Sequence, residues 1–172
     1  TPMAINPEEF QNPYYKRHDV LGYNYRMPEL CAAIGLAQYE RIEEIVSRRK
    51  SIGKLFKKAV HGCDWLIHQK VPEGYVSSYY AFAILYKGDE KYDITWQDFR
   101  KMYIEMGGDG IYGAHSLPYE EPVLAELVIR GDCPVAEELQ PKMMLFKTNY
   151  RDLSLAENKS NILRELMLKI EK

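Results

Sequence analysis

The sequence predicts a mixed domain of layered α+β type, led by a long helix. Three observations carry that expectation: a helical apolar period over 28–60, several short apolar runs beyond it that suit antiparallel strands, and glycine or proline punctuation between them. With 172 residues the chain can bury one respectable core, plus an arm or a long helix. Hydrophobic residues make up 46% and charged residues 28%, the balance of folded soluble domains rather than disordered ones.

Residues 1–27 read as an arm. Asn6-Pro7 and Asn12-Pro13 are turn signals, and no amphipathic period covers the tyrosine-rich stretch. Such a segment gains order against something else, a large domain or a partner subunit. A connecting helix is expected over 28–60. Pro28 fits the first helical position, and Glu29 suits the positive end of the helix dipole. Leu30, Ala33, Ile34, Ala37, Ile42, Ile45, Ile52 and Phe56 form its apolar stripe, and His61-Gly62 ends it. This interval is long for an ordinary globular helix and suits a link between domains, with its stripe turned to a domain or subunit interface.

Residues 61–172 are expected to form the carboxy-terminal α+β small domain. Strands are expected at 63–67, 78–86, 111–114 and 143–146, with a turn at Lys87-Gly88-Asp89. Thr95 caps a helix to 106, with Asp98 as its reciprocal capping acid, and Gly107-Gly108 stops it. Further helices are expected at 122–129, from Pro134 onward, and from an Asp152 or Ser154 cap through 170.

Charge argues against nucleic acid as a partner. The net charge is -2, and the basic run Arg48-Arg49-Lys50 with Lys54, Lys57 and Lys58 reads as a solvated helix face. Cys31, Cys63 and Cys133 are odd in number and widely spaced, so a reducing, cytoplasmic compartment is the economical inference and no metal site is expected. No apolar run reaches the length of a membrane span, and no signal peptide is visible.

The standard phosphate-loop, dinucleotide, zinc-protease and serine-hydrolase patterns are absent. The glycines at 107, 108, 110 and 113 follow a helix instead of preceding one, which favours a tight turn over a phosphate cradle. Two places carry chemistry. Ahead of the expected long helix, Asn24 offers a donor and an acceptor and Arg26 a cationic fork, a pair that serves a phosphate or carboxylate. Equally, Asn24 can cap the helix and Arg26 can pair with Glu29 or Glu40. The second is His115, at an expected strand exit, which can present one ring nitrogen to a ligand or bond to backbone.

The stretch Gly22-Tyr23-Asn24-Tyr25-Arg26-Met27-Pro28-Glu29-Leu30-Cys31-Ala32-Ala33-Ile34-Gly35-Leu36-Ala37-Gln38-Tyr39 resembles a signature of the DegT/DnrJ/EryC1/StrS family of sugar aminotransferases. Arg48-Arg49 continues the likeness, and Cys133-Pro134-Val135-Ala136-Glu137 resembles the family's late P-x-A-E element. The resemblance implies an α/β fold of aspartate-aminotransferase type (a type I pyridoxal-phosphate-dependent transferase), of which this chain is the carboxy-terminal part. It implies pyridoxal phosphate as cofactor, a nucleotide-linked keto sugar as substrate, glutamate as amino donor, and a homodimer or an association with a lysine-bearing large domain. Asn24 and Arg26 map onto the family's contacts to cofactor phosphate and substrate, and His115 onto a sugar contact.

Nothing in the sequence matches the family's Schiff-base lysine motif, so the chain is expected to begin downstream of it, to hold no catalytic residue of its own and to be inactive alone. The stretches 77–80 and 107–115 depart from the commonest family wording, which leaves the sugar open. Two alternatives stand beside this reading: a non-catalytic ligand-binding or interaction domain derived from the fold, and part of a sugar dehydratase that uses the same cofactor.

Overall fold

A computed structural model describes residues 25–124 and 133–172. The chain divides into two units between Glu40 and Arg41. In the first, α1 (Glu29–Tyr39) follows Pro28, which sits just before the helix with extended backbone (φ −59°, ψ 144°). No residue of α1 is buried. The expected arm lies mostly outside the described residues.

The second unit begins with α2 (Ile42–Ala59). The interval 28–60 thus holds two helices instead of one. Arg41 leaves helical geometry (φ −109°, ψ 10°), and its guanidinium lies 3.4 Å from the Glu44 carboxylate. Glu43 and Glu44 in the first turn of α2, with Lys57 and Lys58 in its last, complement the dipole of a helix that starts afresh. Gly62 follows its end with φ 81°, as a helix stop requires.

Four strands form an antiparallel sheet in the order β1-β2-β4-β3: β1 (Leu66–His68), β2 (Ala81–Tyr86), β3 (Tyr112–Gly113) and β4 (Met143–Lys147). Phe82 pairs with Phe146, Leu66 with Tyr86, and Tyr112 with Leu145. Alternation along β2 buries Phe82, Ile84 and Tyr86, and β4 buries Met144 and Phe146, as a sheet with one covered face demands.

Helices α2, α4 (Trp96–Glu105) and α6 (Leu153–Ile170) supply that cover. Phe56 of α2 stacks near Phe82 and Phe146, at 5.7 and 5.5 Å between ring centres, and Phe99 of α4 meets Trp65 and Tyr86. Leu163 and Leu166 of α6 complete the core. Trp65 donates its indole N–H to Glu171 at 2.9 Å, which ties the last turn of the chain to the start of β1.

The Lys87-Gly88-Asp89 turn opens a short helix, α3 (Gly88–Tyr92). Thr95 caps α4 by accepting the Asp98 N–H at 3.1 Å. Asp98 does not close a reciprocal box; it accepts the Thr95 hydroxyl at 2.6 Å. The glycines after α4 form its stop: Gly107 takes φ 91°, and the Gly108 N–H reaches back to the Tyr103 carbonyl at 2.7 Å. They build a turn, as their position after a helix implied. Pro134 opens α5 (Pro134–Leu139), and Asp152 caps α6 through the Ser154 N–H at 2.8 Å. Of the helix expected at 122–129, the part to Leu124 is turn, and the remainder lies outside the described residues.

Candidate functional site

A cavity of about 550 Å³ opens in the second unit beside β2, β3 and β4 and the Arg49 turn of α2. Arg49 from α2, Tyr80 ahead of β2, Tyr112 of β3, His115 after β3 and Lys147, Thr148 and Asn149 at the end of β4 line it. Its size is that of a small-ligand site.

The cavity's cations differ in how they are held. Lys147 pairs with Asp109 at 2.7 Å and lies over the Tyr150 ring at 4.7 Å. Asp109 also accepts the Tyr150 hydroxyl at 2.6 Å and lies 3.6 Å from Lys159, whose ammonium donates to the Gly107 carbonyl. Burial pushes the Asp109 carboxyl up, but the hydrogen bonds from Lys147 and Tyr150 and the charges of Lys147 and Lys159 outweigh it, holding it below the usual carboxylate range. Burial, then the Asp109 carboxylate, pushes the Tyr150 phenol up.

Arg49 is held by neutral groups. Its Nη1 donates to the Tyr80 carbonyl at 2.8 Å and lies 3.4 Å from the Thr148 hydroxyl, and its guanidinium carbon sits 5.5 Å from the centre of the Tyr80 ring. Thr148 is buried and donates its hydroxyl proton toward the carbonyls of Tyr79 and Tyr80, at 2.5 and 2.9 Å.

His115 is exposed and lines both this cavity and a second, apolar one of about 590 Å³ walled by Leu117, Val135, Leu139 and Met143. Gln140 fixes its backbone by donating toward the carbonyls of Ala114 and His115, at 3.4 and 3.3 Å. The P-x-A-E stretch, entering α5, forms part of that second wall. Arg26 is exposed in the first unit, ahead of α1, and Asn24 lies outside the described residues.

Sequence reasoning missed Arg49, Tyr80 and Thr148. Arg49 was grouped with a solvated basic face, yet it stands three, four and seven positions before Ile52, Gly53 and Phe56, all buried. That spacing puts it on the inward stripe of the helix, a signal present in the sequence.

Among its described residues the cavity offers a guanidinium to the phosphate of pyridoxal phosphate but no free amine to its aldehyde. The cofactor needs an amine free to attack its aldehyde, and Lys147, the lysine lining the cavity, is committed to Asp109. Among the described residues no cluster of three or more His, Cys, Asp or Glu could hold a metal ion, and no helix is long and apolar enough to cross a membrane.

Comparison with known proteins places the chain. GDP-perosamine synthase of Vibrio cholerae is 32% identical over 108 residues, covering 60% of this chain and 28% of that protein. GDP-perosamine synthase of Escherichia coli O157:H7 is 32% identical over 120 residues, covering 66% and 32%. The chain thus spans about a third of the length of the curated relatives it matches. Among solved structures, Escherichia coli GDP-4-keto-6-deoxy-D-mannose-3-dehydratase with bound hydrated PLP superposes with a TM-score of 0.72 at 19% identity, covering 94% of this chain and 40% of that one. This likeness shows the fold: the carboxy-terminal part of an aspartate-aminotransferase-type chain, its small domain an α+β sandwich. The family model for DegT/DnrJ/EryC1/StrS aminotransferases matches residues 7–159, and the chain belongs to that family.

Proposed function

We propose that this chain is the carboxy-terminal portion of an aminotransferase that uses pyridoxal phosphate, acts on a nucleotide-linked keto sugar and takes its amino group from glutamate. Its activity depends on a lysine-bearing large domain. The observation that carries this reading is the cavity itself, which gathers Arg49, His115, Thr148 and Asn149 around a small-ligand volume while its lysine is tied to Asp109. It is a binding wall without a usable amine. Family membership and relatives named for GDP-perosamine support the sugar-nucleotide assignment.

The cofactor, when bound, supplies the electron sink for chemistry at the amino-bearing carbon. This chain's residues bind and orient. Arg26 supplies charge-assisted hydrogen bonds to the cofactor phosphate or an anionic substrate group, and Asn24 adds one more. His115 contacts the sugar or a carboxylate. Residues 1–27 and α1 contact the large domain or a partner subunit, and the complete enzyme is a homodimer or an association with a lysine-bearing large domain.

The test is complementation. The 172-residue chain mixed with pyridoxal phosphate should give no lysine-bound cofactor absorbance. With a lysine-bearing large domain of the same family it should give that absorbance and amino transfer from glutamate to a GDP-linked keto sugar. A stoichiometric, catalytically competent cofactor adduct on a lysine within residues 1–172 would overturn the proposal; a dehydrated, unaminated sugar would instead select the dehydratase alternative. In the complemented enzyme, Arg26→Ala should weaken cofactor or anionic-substrate binding by about tenfold, with little change in thermal unfolding.

A further inference from the structure

Tyr79 is one of two described non-glycine residues with positive φ, at 50°. A bulky side chain rarely adopts that conformation, and where it persists the surroundings hold it there. Here they do so from four directions. The Tyr79 ring lies against Gly53 of α2 so closely that a Cβ at position 53 would sit 2.6 Å from the Tyr79 Cγ. Its other neighbour is Phe82, with ring centres 6.3 Å apart. The Tyr79 N–H donates to the Ser77 hydroxyl at 3.1 Å, and its carbonyl accepts from buried Thr148.

The effect is felt at the next residue. The backbone of Tyr80 is fixed by Thr148 and Arg49, yet the residue is 84% exposed and faces the cavity. Arg49 is the complementary half. Among described residues no carboxylate pairs with it, whereas the ammonium of Lys147, the lysine lining the cavity, pairs with Asp109. Only Nη1 of Arg49 is committed, which leaves the Nε and Nη2 donors for a ligand. An arginine beside an exposed ring matches a ligand that carries an anion on a flat group.

We propose that Arg49 and Tyr80 form a clamp for a ligand that holds a phosphoryl group and a flat ring in one molecule, and that Tyr79 and Thr148 are the positioning residues that set it. The proposal rests on the sugar-aminotransferase reading above and deepens it by assigning the departure at 77–80 to ligand selection. Two ligands share this chemistry, a nucleoside diphosphate and the phosphorylated pyridine of the cofactor.

Calorimetric titration of the 172-residue chain with GDP, pyridoxamine 5′-phosphate (which forms no adduct with lysine), guanosine and inorganic phosphate tests it. GDP or pyridoxamine 5′-phosphate should bind, and whichever does identifies the source of the phosphoryl group. Arg49→Gln should weaken that ligand about tenfold. Tyr80→Ala, at an exposed ring whose loss leaves the core intact, should weaken it severalfold while leaving any binding of inorganic phosphate unchanged. Thr148→Val should mimic the Tyr80 defect, and Thr148→Ser should restore affinity because it keeps the hydroxyl donor.

If neither ringed phosphate binds, or if Tyr80→Ala and Arg49→Gln bind as the parent does, the clamp is overturned and Arg49 is a structural tie between α2 and β2. Neither result touches the sugar-aminotransferase reading, which stands or falls on cofactor absorbance and amino transfer in the complemented enzyme.

Discussion

Helices α1 and α2 lie on either side of Glu40–Arg41, and both place apolar residues at helical spacing. In α2 the spacing is used: Ile52, Gly53, Phe56 and Ala59 are buried in the second unit against the sheet and α6. In α1 it is not. Leu30 is 73% and Ile34 57% exposed, and Leu36 and Tyr39 are exposed with them. The difference teaches that a helical apolar period states only that a face can be buried. What covers that face is a tertiary question, and the described residues of the first unit contain nothing large enough to do it.

The largest effect should come from α2. Phe56→Ala removes a ring packed between two others and should lower unfolding stability by about 3–5 kcal/mol, read by denaturant titration of the chain. A loss below about 1 kcal/mol would show that α2 is no more anchored than α1, and the comparison would collapse.

Next in size is the cluster under the cavity. Asp109→Asn weakens the hold on Lys147, Lys159 and Tyr150 and should cost about 1 kcal/mol at neutral pH, allowing for solvent screening. Because the folded carboxyl titrates below its ordinary value of 3.8, its stabilisation is complete above that pH and fades as pH falls through the lower folded value. Unfolding curves of parent and variant should therefore converge on acidification; a gap that persisted unchanged below the folded value would rule out the charge as its source.

Thr95→Ala, which deletes the cap of α4, should cost about 1 kcal/mol by the same measurement, and Thr95→Ser should recover most of it. Smallest of all, Ile34→Ala in α1 should shift the stability of the chain alone by less than about 0.5 kcal/mol. The same change should weaken association with the large domain if that domain covers α1. An Ile34→Ala loss as large as that of Phe56→Ala would show α1 buried in the free chain.

Much of the fold was legible because its signals are local. Thr95 and Asp152 cap the helices they were expected to cap, and the aromatic and apolar run expected as a strand at 78–86 contains β2. The break at Glu40–Arg41 was missed because neither glycine nor proline marks it. Its signal is the acidic pair Glu43 and Glu44, which suits the start of a second helix. His115 stands out in the sequence by its place after glycines and an expected strand, and it lines the cavity. Tyr80 does not stand out, since its role depends on the backbone of Tyr79, which no residue-type preference foretells.

By itself the sequence determined most of the segments that become helix or strand, where several of them stop, and the family. These depend on period, caps and turn residues within a few positions of one another, or on a contiguous run such as 22–39. Tertiary structure alone decided which side chains share the cavity. Arg49, Tyr80, His115 and Thr148 are far apart in the chain and meet only because β4 inserts between β2 and β3 while α2 crosses the same sheet. Such contacts are set by sheet order and by which face is covered, and no local pattern in the sequence encodes either.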